Sequence, residues 1–372
     1  MSPRFSLPTL LGGQSKPALQ PPSDQTPSFK TRLQSRAEAF RTSTGYANYL
    51  RVREYIYLMM DDWTRLDPEG GPSAYWQEEI EGFLYLFDAS PLVIEKLREQ
   101  CYHITGIKSY EYRNHHAHRR KHMIPKFNML REIDPVGLFC PEPPDLGGFG
   151  FEIGPGKANI DTLKFYEVLI GMEKGGVLPA FRGPDAPRRL AVEIGSGWGG
   201  FAYQFKKTCP NTTYVLVDLP PTMLFSGVYL TTLFPDAKAL FYGEPGFKEK
   251  IRNIRDYDFV FLPHYYFPQL GGQGLDLAIN MISFQEMTTM QVRTYVRLLK
   301  KFGCPTIYSL NRDRSKNNHE LTTVSEITQL YYEIEVIKLL DLQYYQLVAP
   351  PTWPKPSIFD YRNFVARLPA SA

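Results

Sequence analysis

The sequence predicts an α/β protein built on a doubly wound, mostly parallel sheet, with a mainly helical region ahead of it. Three observations carry that reading. From Arg189 onward, short apolar runs alternate with helical stretches, the pattern of parallel strands covered by helices on both faces. The first run leads at once into a glycine loop, Gly195–Gly200, that opens a helix. Between about Phe29 and Leu130 the apolar residues keep helical spacing instead.

Met1 to about Pro27 is rich in Pro, Ser and Gln, and residues 1–28 read as a disordered tail. Asp24 is the lone acid between Met1 and Arg36, a composition that also resembles a transit peptide. Ala37–Met60 has few breakers and sets Tyr46, Tyr49, Val52, Ile56 and Met59 at helical spacing. Pro72–Phe87 and Pro91–Gln100 are the next helices. From about Asp134 to Pro155, prolines and glycines crowd into a loop that marks a domain junction or an active-site cover. The division is therefore a helical lid or acceptor-pocket region over 29–155 and a sheet domain over 156–372. In the second part, helix Ile160–Lys174 and a breaker run, Gly183–Pro187, come first. Strands are expected at Leu190–Ile194, Thr213–Val217, Asp258–Leu262, Leu275–Asn280 and Pro305–Leu310. Helices are expected at Gly199–Lys207, Pro221–Leu233 and Thr289–Lys301, with right-handed crossovers. Leu342–Leu347 and Asn363–Ala366 would add a final hairpin at the sheet edge.

Composition narrows the function classes. With 372 residues, 43% of them apolar, the chain can bury a large core. Aromatic residues make up 14%, mostly Tyr and Phe, which favours broad pockets for flat or ring-shaped ligands. A net charge of +3 does not argue for a nucleic-acid partner. Cys101, Cys140, Cys209 and Cys304 are scattered without C-x-x-C spacing, so neither a zinc knuckle nor a disulfide framework is indicated. A reducing, cytoplasmic location fits. No apolar run approaches the roughly 18 residues a membrane span needs. The expected partner is a small-molecule acceptor, with a homodimer as one option for assembly.

Val192-Glu-Ile-Gly-Ser-Gly-Trp-Gly-Gly200 fits two templates. Gly195, Gly197 and Gly200 satisfy the dinucleotide pattern G-x-G-x-x-G, and Glu193 with Gly195, Gly197 and Gly199 satisfies E-x-G-x-G-x-G. Glu193 separates the guests. A carboxylate at the mouth of this loop repels a pyrophosphate and suits S-adenosylmethionine, which carries a sulfonium and an ammonium. Asp218 ends the next strand, in Tyr214-Val-Leu-Val-Asp218, where it can accept from both ribose hydroxyls. Taken alone, an Asp at a strand end is more often a helix cap; paired with the glycine loop, it reads as the ribose contact. Leu219 with Pro220-Pro221 would wall the adenine. The candidate cofactor contacts are Glu193, Gly195, Ser196, Gly197, Trp198, Asp218 and Leu219, with His264, Asn280 and Ser283 added from later strand ends.

Ligands of such sheets lie beyond the carboxyl ends of the strands. The third end gives His264, in Phe261-Leu-Pro-His-Tyr-Tyr266; the fourth gives Asn280, Ser283, Gln285 and Glu286; the fifth gives Asn311, Arg312 and Asp313. Gln285, Glu286 and Arg312 are candidate substrate contacts. His264 and Glu286 are the candidate general bases, with a structural histidine and a helix-capping glutamate as the plain alternatives.

Asn114-His-His-Ala-His-Arg-Arg-Lys-His122 stands apart. On a helix, His115, His118 and His122 would share a face. No carboxylate lies within the cluster, which argues against a hard cation, and no metal is assigned. Lys108, Arg113, Arg119, Arg120, Lys121, Lys126 and Arg131 make a basic face, solvated or turned toward an acidic substrate group. If the helical half folds over the sheet as a lid, His115 becomes a catalytic candidate and His116 a substrate contact.

Glu193–Gly200, Val217-Asp-Leu-Pro-Pro221 and Ile279-Asn-Met-Ile-Ser-Phe-Gln-Glu-Met287 together resemble the sugar O-methyltransferase family of class I S-adenosylmethionine-dependent methyltransferases. The resemblance covers about Arg189 to Arg314. It implies a Rossmann-like domain, S-adenosylmethionine as cofactor, and methyl transfer to a hydroxyl of a sugar or similar polar metabolite in small-molecule biosynthesis. Two alternatives stay open. One is a nicotinamide-dependent oxidoreductase on the same loop. The other is an S-adenosylmethionine-binding protein that does not methylate, or that methylates a nitrogen or a carboxylate.

Overall fold

The computed structural model describes residues 27–66, 71–113, 117–183, 186–314, 323–339 and 361–369. Its main sheet has eight strands: β1 (Arg189–Ile194), β2 (Thr212–Asp218), β3 (Ala239–Phe241), β4 (Phe259–Pro263), β5 (Leu277–Met281), β6 (Thr306–Arg312), β7 (Glu333–Val336) and β8 (Tyr361–Arg367). Their order across the sheet is β3-β4-β2-β1-β5-β6-β8-β7. Neighbours from β3 to β6 run parallel, and β8 runs antiparallel to both β6 and β7. The order reverses at β1, whose chain successor β2 lies on one side and β5 on the other. Such a reversal opens a crevice at the carboxyl ends of the strands. This is the doubly wound, Rossmann-like sheet that the alternation predicts.

Around it lie α1 (Phe29–Arg41), α2 (Thr44–Leu66), α3 (Ala74–Phe83), α4 (Ala117–Ile133), α5 (Ile160–Lys174), α6 (Gly200–Thr208), α7 (Met223–Leu233) and α8 (Thr289–Lys301). Both faces of the sheet are buried, so the strands read as continuous apolar runs. Leu190, Val192, Ile194, Val215 and Val217 pack on the α8 side with Val292, Val296 and Leu299. Ala191, Tyr214 and Leu216 pack on the opposite side with Phe165, Phe201, Phe205 and Val228 of α5, α6 and α7. By alternation Glu193 projects to this second side. The predicted helical stripe Tyr49, Val52, Ile56 and Met59 is fully buried there and lays α2 over α7. Burying side chains of this kind contributes roughly 1.5–3 kcal/mol each, which makes α2 a third layer on one shared core rather than a loose cap.

Several boundaries differ from expectation for local reasons. The expected Ala37–Met60 helix is two helices. Thr42 ends α1, where its hydroxyl donates to the Ala39 carbonyl at 3.0 Å, the backbone competition typical of threonine. Pro72–Phe87 ends as α3 at Phe83 and tightens into a 3₁₀ turn, Leu84–Asp88. Pro91–Gln100 splits into the single turns Pro91–Ile94 and Leu97–Gln100. At the far edge, β8 pairs with β7; the other strand of the expected hairpin, Leu342–Leu347, lies outside the described residues. No helix among the described residues is long and apolar enough to cross a membrane.

A buried ion cluster joins the helical region to the sheet. Arg98 is fully buried, and its Nε donates to Glu142 Oε1 at 2.6 Å and its Nη2 to Asp161 Oδ2 at 3.2 Å. The other Glu142 oxygen accepts from Asn159 Nδ2 at 2.9 Å. The guanidinium carbon stands 3.8 Å from the centroid of a Trp198 ring. Removing the cation strands two buried carboxylates, so Arg98→Met is expected to destabilise the fold by about 3–5 kcal/mol in urea unfolding. Arg98→Lys should recover only part of this, because an ammonium has neither the fork nor the stacking plane.

Candidate active site

The carboxyl ends of β1, β2, β4 and β5 open into a cleft of about 1710 Å³. A site for one small ligand commonly occupies about 300–1,000 Å³, so this one has room for two side by side. Its roof comes from the helical region, through Gly71–Trp76 and Ile104–Ile107.

The glycine loop is shaped by what it touches. Gly195 has φ +74°, and a Cβ there would stand 2.2 Å from Ser283 Oγ, so only glycine fits. The Gly197 N–H donates to Asp218 Oδ2 at 2.6 Å, and the Leu219 N–H to Asp218 Oδ1 at 2.7 Å. Asp218 therefore faces the cleft already tied to the loop, and Ser196 and Leu219 border the same space. Burial raises the Asp218 pKa, while its hydrogen bonds oppose the rise. Trp198 is buried against Arg98, Phe165 and Tyr229, and its ring fills the space above Gly200. It is a wall of the cleft, held in place from behind.

Glu193 corrects the sequence reading in one respect. It borders the cleft but lies 1% exposed below the loop, accepting from the Tyr214 hydroxyl at 2.9 Å. Burial lifts its pKa well above the carboxylate range and the Asp218 charge adds to this, opposed by Tyr214 and Lys164. Burial thus shifts Glu193 toward the neutral acid, where the sequence suggests a carboxylate exposed at the mouth of the loop.

Asn280 is a second correction. Its Nδ2 donates to the Ile194 carbonyl and to Ser283 Oγ, and its Oδ1 accepts from the Phe284 N–H and Asn311 Nδ2. All four positions are used within the protein, so no side-chain bond remains for a cofactor. Ser283 borders the cleft, but its hydroxyl donates to the Ile194 carbonyl at 3.0 Å. Gln285 is buried beside the cleft and its Oε1 accepts from the Arg312 N–H at 2.8 Å. Arg312 lies over the Tyr361 ring at 4.8 Å with its side chain at the cleft wall. Asp313 pairs with Arg362 at 2.7 Å, away from the site. Pro220 and Pro221 are buried in a 3₁₀ turn, so only Leu219 of that stretch reaches the cleft.

The structure removes one of two readings of Glu286, the helix cap. Thr288, not Glu286, caps α8, through a reciprocal box with Gln291. Glu286 borders the cleft, where its Oε2 accepts from the indole Nε1 of Trp76 at 3.1 Å. Burial foremost, with the Asp218 charge adding, pushes its pKa up to about 7, while Trp76, Lys164 and Arg312 oppose. His264 is half-buried at the same cleft, edge-on to Trp63 with ring centroids 4.8 Å apart.

His115 and His116 lie outside the described residues. His118 and His122 fall on α4, with side chains that are likewise outside the description. Lys126 leaves the proposed basic face: it is 1% exposed and pairs with Glu167 at 2.6 Å. Among the described residues no group of three His, Cys, Asp or Glu side chains is placed to hold a metal. Sequence reasoning missed Tyr75, Trp76 and Lys164, all of which border the cleft. The local pattern around Trp76 marks only a helix start, and its partner lies 210 residues away.

No family model matches the chain, and no curated protein matches it. Solved structures do resemble it. A magnesium protoporphyrin IX methyltransferase from Synechocystis PCC 6803, solved with bound SAH, is 11% identical over 65% of this chain and 94% of its own, with a TM-score of 0.36. An N-methyltransferase from Bradyrhizobium japonicum WM9 is 12% identical over 57% of this chain and 97% of its own, with a TM-score of 0.33. An O-methyltransferase family protein from Burkholderia thailandensis is 12% identical over 57% of this chain and 60% of its own, with a TM-score of 0.33. Likeness at this level says nothing about activity, and the doubly wound fold stands on the strand order itself.

Proposed function

We propose that this protein is an S-adenosylmethionine-dependent methyltransferase. Residues 156–372 would hold the cofactor, and residues 29–155 would form the acceptor side. The observation that carries the reading is Asp218, fixed by the Gly197 N–H at 2.6 Å at the point where the strand order reverses. A carboxylate there accepts from ribose hydroxyls beside a loop that a ligand can approach closely. The loop Val192–Gly200 carries no Lys or Arg to meet a pyrophosphate, and the Asp218 carboxylate beside it suits a cation. When bound, S-adenosylmethionine supplies an electrophilic methyl group on a sulfonium.

The chain's own residues do the rest. The roof at Gly71–Trp76 and the sheet below hold the acceptor in line and exclude water. Tyr75, Trp76 and Tyr266 offer aromatic walls to a ring-shaped acceptor such as a sugar. Glu286, with its pKa near neutrality, suits removal of the hydroxyl proton as the oxygen attacks. His264 is the second candidate base. The favoured reaction is thus O-methylation of a sugar or similar polar metabolite. An amine acceptor, which needs its base only to shed a proton already made acidic, is the second reading.

Calorimetry with S-adenosylmethionine and with NAD tests the cofactor; binding of NAD alone would replace this reading with an oxidoreductase. A cation beside Glu193 lowers its raised pKa, so S-adenosylmethionine binding should release protons over the pH range where the free protein holds that carboxyl protonated. The measured enthalpy will then vary with buffer ionisation, and less so in Glu193→Gln. Gly195→Ala should weaken cofactor binding at least tenfold, because its Cβ displaces Ser283 and the loop, an effect of about 1.4 kcal/mol or more. Glu286→Gln should lower kcat by about 10²–10⁴-fold with cofactor affinity nearly intact, read by label transfer from methyl-labelled cofactor to a panel of sugar-like acceptors.

A further inference from the structure

We propose that Trp76 is the positioning residue for Glu286, so that helix α3 of the helical region completes the proton-accepting site on the sheet. This rests on reading Glu286 as the general base. The two residues belong to different layers and lie 210 positions apart, yet the indole Nε1 stands 3.1 Å from Glu286 Oε2. An indole N–H only donates, so its partner must be an acceptor, and the carboxylate form is the better one.

The contact is built from both ends. On the roof, the Ser73 hydroxyl accepts from the Trp76 backbone N–H at 3.4 Å and caps α3. Tyr75 packs edge-on to the indole, with ring centroids 5.6 Å apart. On the floor, Glu286 leaves a 3₁₀ turn, Phe284–Glu286, anchored by Asn280 and by the Asn311 side chain. The charged and titratable groups that bear on Glu286 are Tyr75 from α3, Asp218 from β2, Lys164 from α5 and Arg312 from β6. Asp218 and burial favour the neutral acid, which cannot take a proton. Trp76 opposes them with a directed bond. By occupying Oε2, the indole also leaves Oε1 to meet an acceptor hydroxyl.

The test needs neither cofactor nor acceptor. The full chain, carrying glutamate labelled with carbon-13 at the side-chain carboxyl, is titrated by NMR. The Glu286 signal is assigned as the one lost in Glu286→Gln. Trp76→Phe keeps an aromatic ring on α3 and removes the donor, so the midpoint should rise by about one pH unit. Tyr75→Phe disturbs the same helix without touching that bond, and the Tyr75 phenol, its pKa raised to about 12 mainly by burial, is uncharged where Glu286 titrates, so the midpoint should stay in place. A midpoint in Trp76→Phe that is unchanged or lower overturns the proposal, as does an equal rise in Tyr75→Phe. Full methyl transfer by Glu286→Gln would overturn the general-base reading instead.

Discussion

Arg98 lies fully buried between Glu142 and Asp161, with a Trp198 ring stacked on its guanidinium. A charge in that position is costly to desolvate and tolerable only while both carboxylates stay in place. Arg98 and its three partners come from four stretches of chain: the helical region, the proline-rich loop, the first turn of α5, and the glycine loop. None can shift without leaving a buried charge exposed to an apolar neighbour. Asp161 also accepts from Lys164 at 2.8 Å, and Lys164 borders the cleft. The shape of the cleft is therefore fixed by charges that lie behind its walls. A second buried pair, Lys126 with Glu167, ties α4 to α5 in the same manner.

Inside the cleft the balance is different. Glu193, Asp218 and Glu286 all border one space, and burial raises the pKa of each. Lys164 and Arg312 offset only part of the repulsion. Such a site is short of positive charge. The sequence reading set Glu193 at the mouth of the loop, and the structure sets it 1% exposed beneath it. Composition reveals that a carboxylate sits beside the loop; it does not reveal that Tyr214 and the sheet have removed it from water.

Legibility followed the range of the contacts. Strands β1, β2, β4, β5 and β6 were readable because both faces of the sheet are buried, which writes each as an apolar run. β3, at three residues, is too short to write any pattern. β7 alternates Glu333, Ile334, Glu335 and Val336 and is largely exposed, as a guarded edge strand is, so it does not read as part of a core. In the site, Asp218 was visible because its partners, the Gly197 and Leu219 N–H groups, are neighbours in one βαβ unit, and the glycines because their spacing is itself the signal. Asn280 looked like a ligand contact because a strand-end amide gives no sign of whether its bonds are already used. Trp76 was invisible because nothing near it in sequence records Glu286.

One strained residue links these scales. Ile282 has φ +61°, a conformation that a β-branched side chain adopts only when its surroundings impose it. Here they do. Its N–H donates to the Leu310 carbonyl at 2.8 Å, while Asn280 before it and Ser283 after it both bond the Ile194 carbonyl. The end of β5 is thus pinned to β1 on one side and β6 on the other, and the chain between the pins must turn sharply. That turn sends Glu286 toward the roof, while Gln285 turns to the backbone of β6. Relaxing Ile282 would let the segment extend, and Glu286 would lose the approach that places it within reach of Trp76. The strain at the strand end and the indole on α3 are then two halves of one arrangement. The sheet aims the carboxylate, and the helical region receives it.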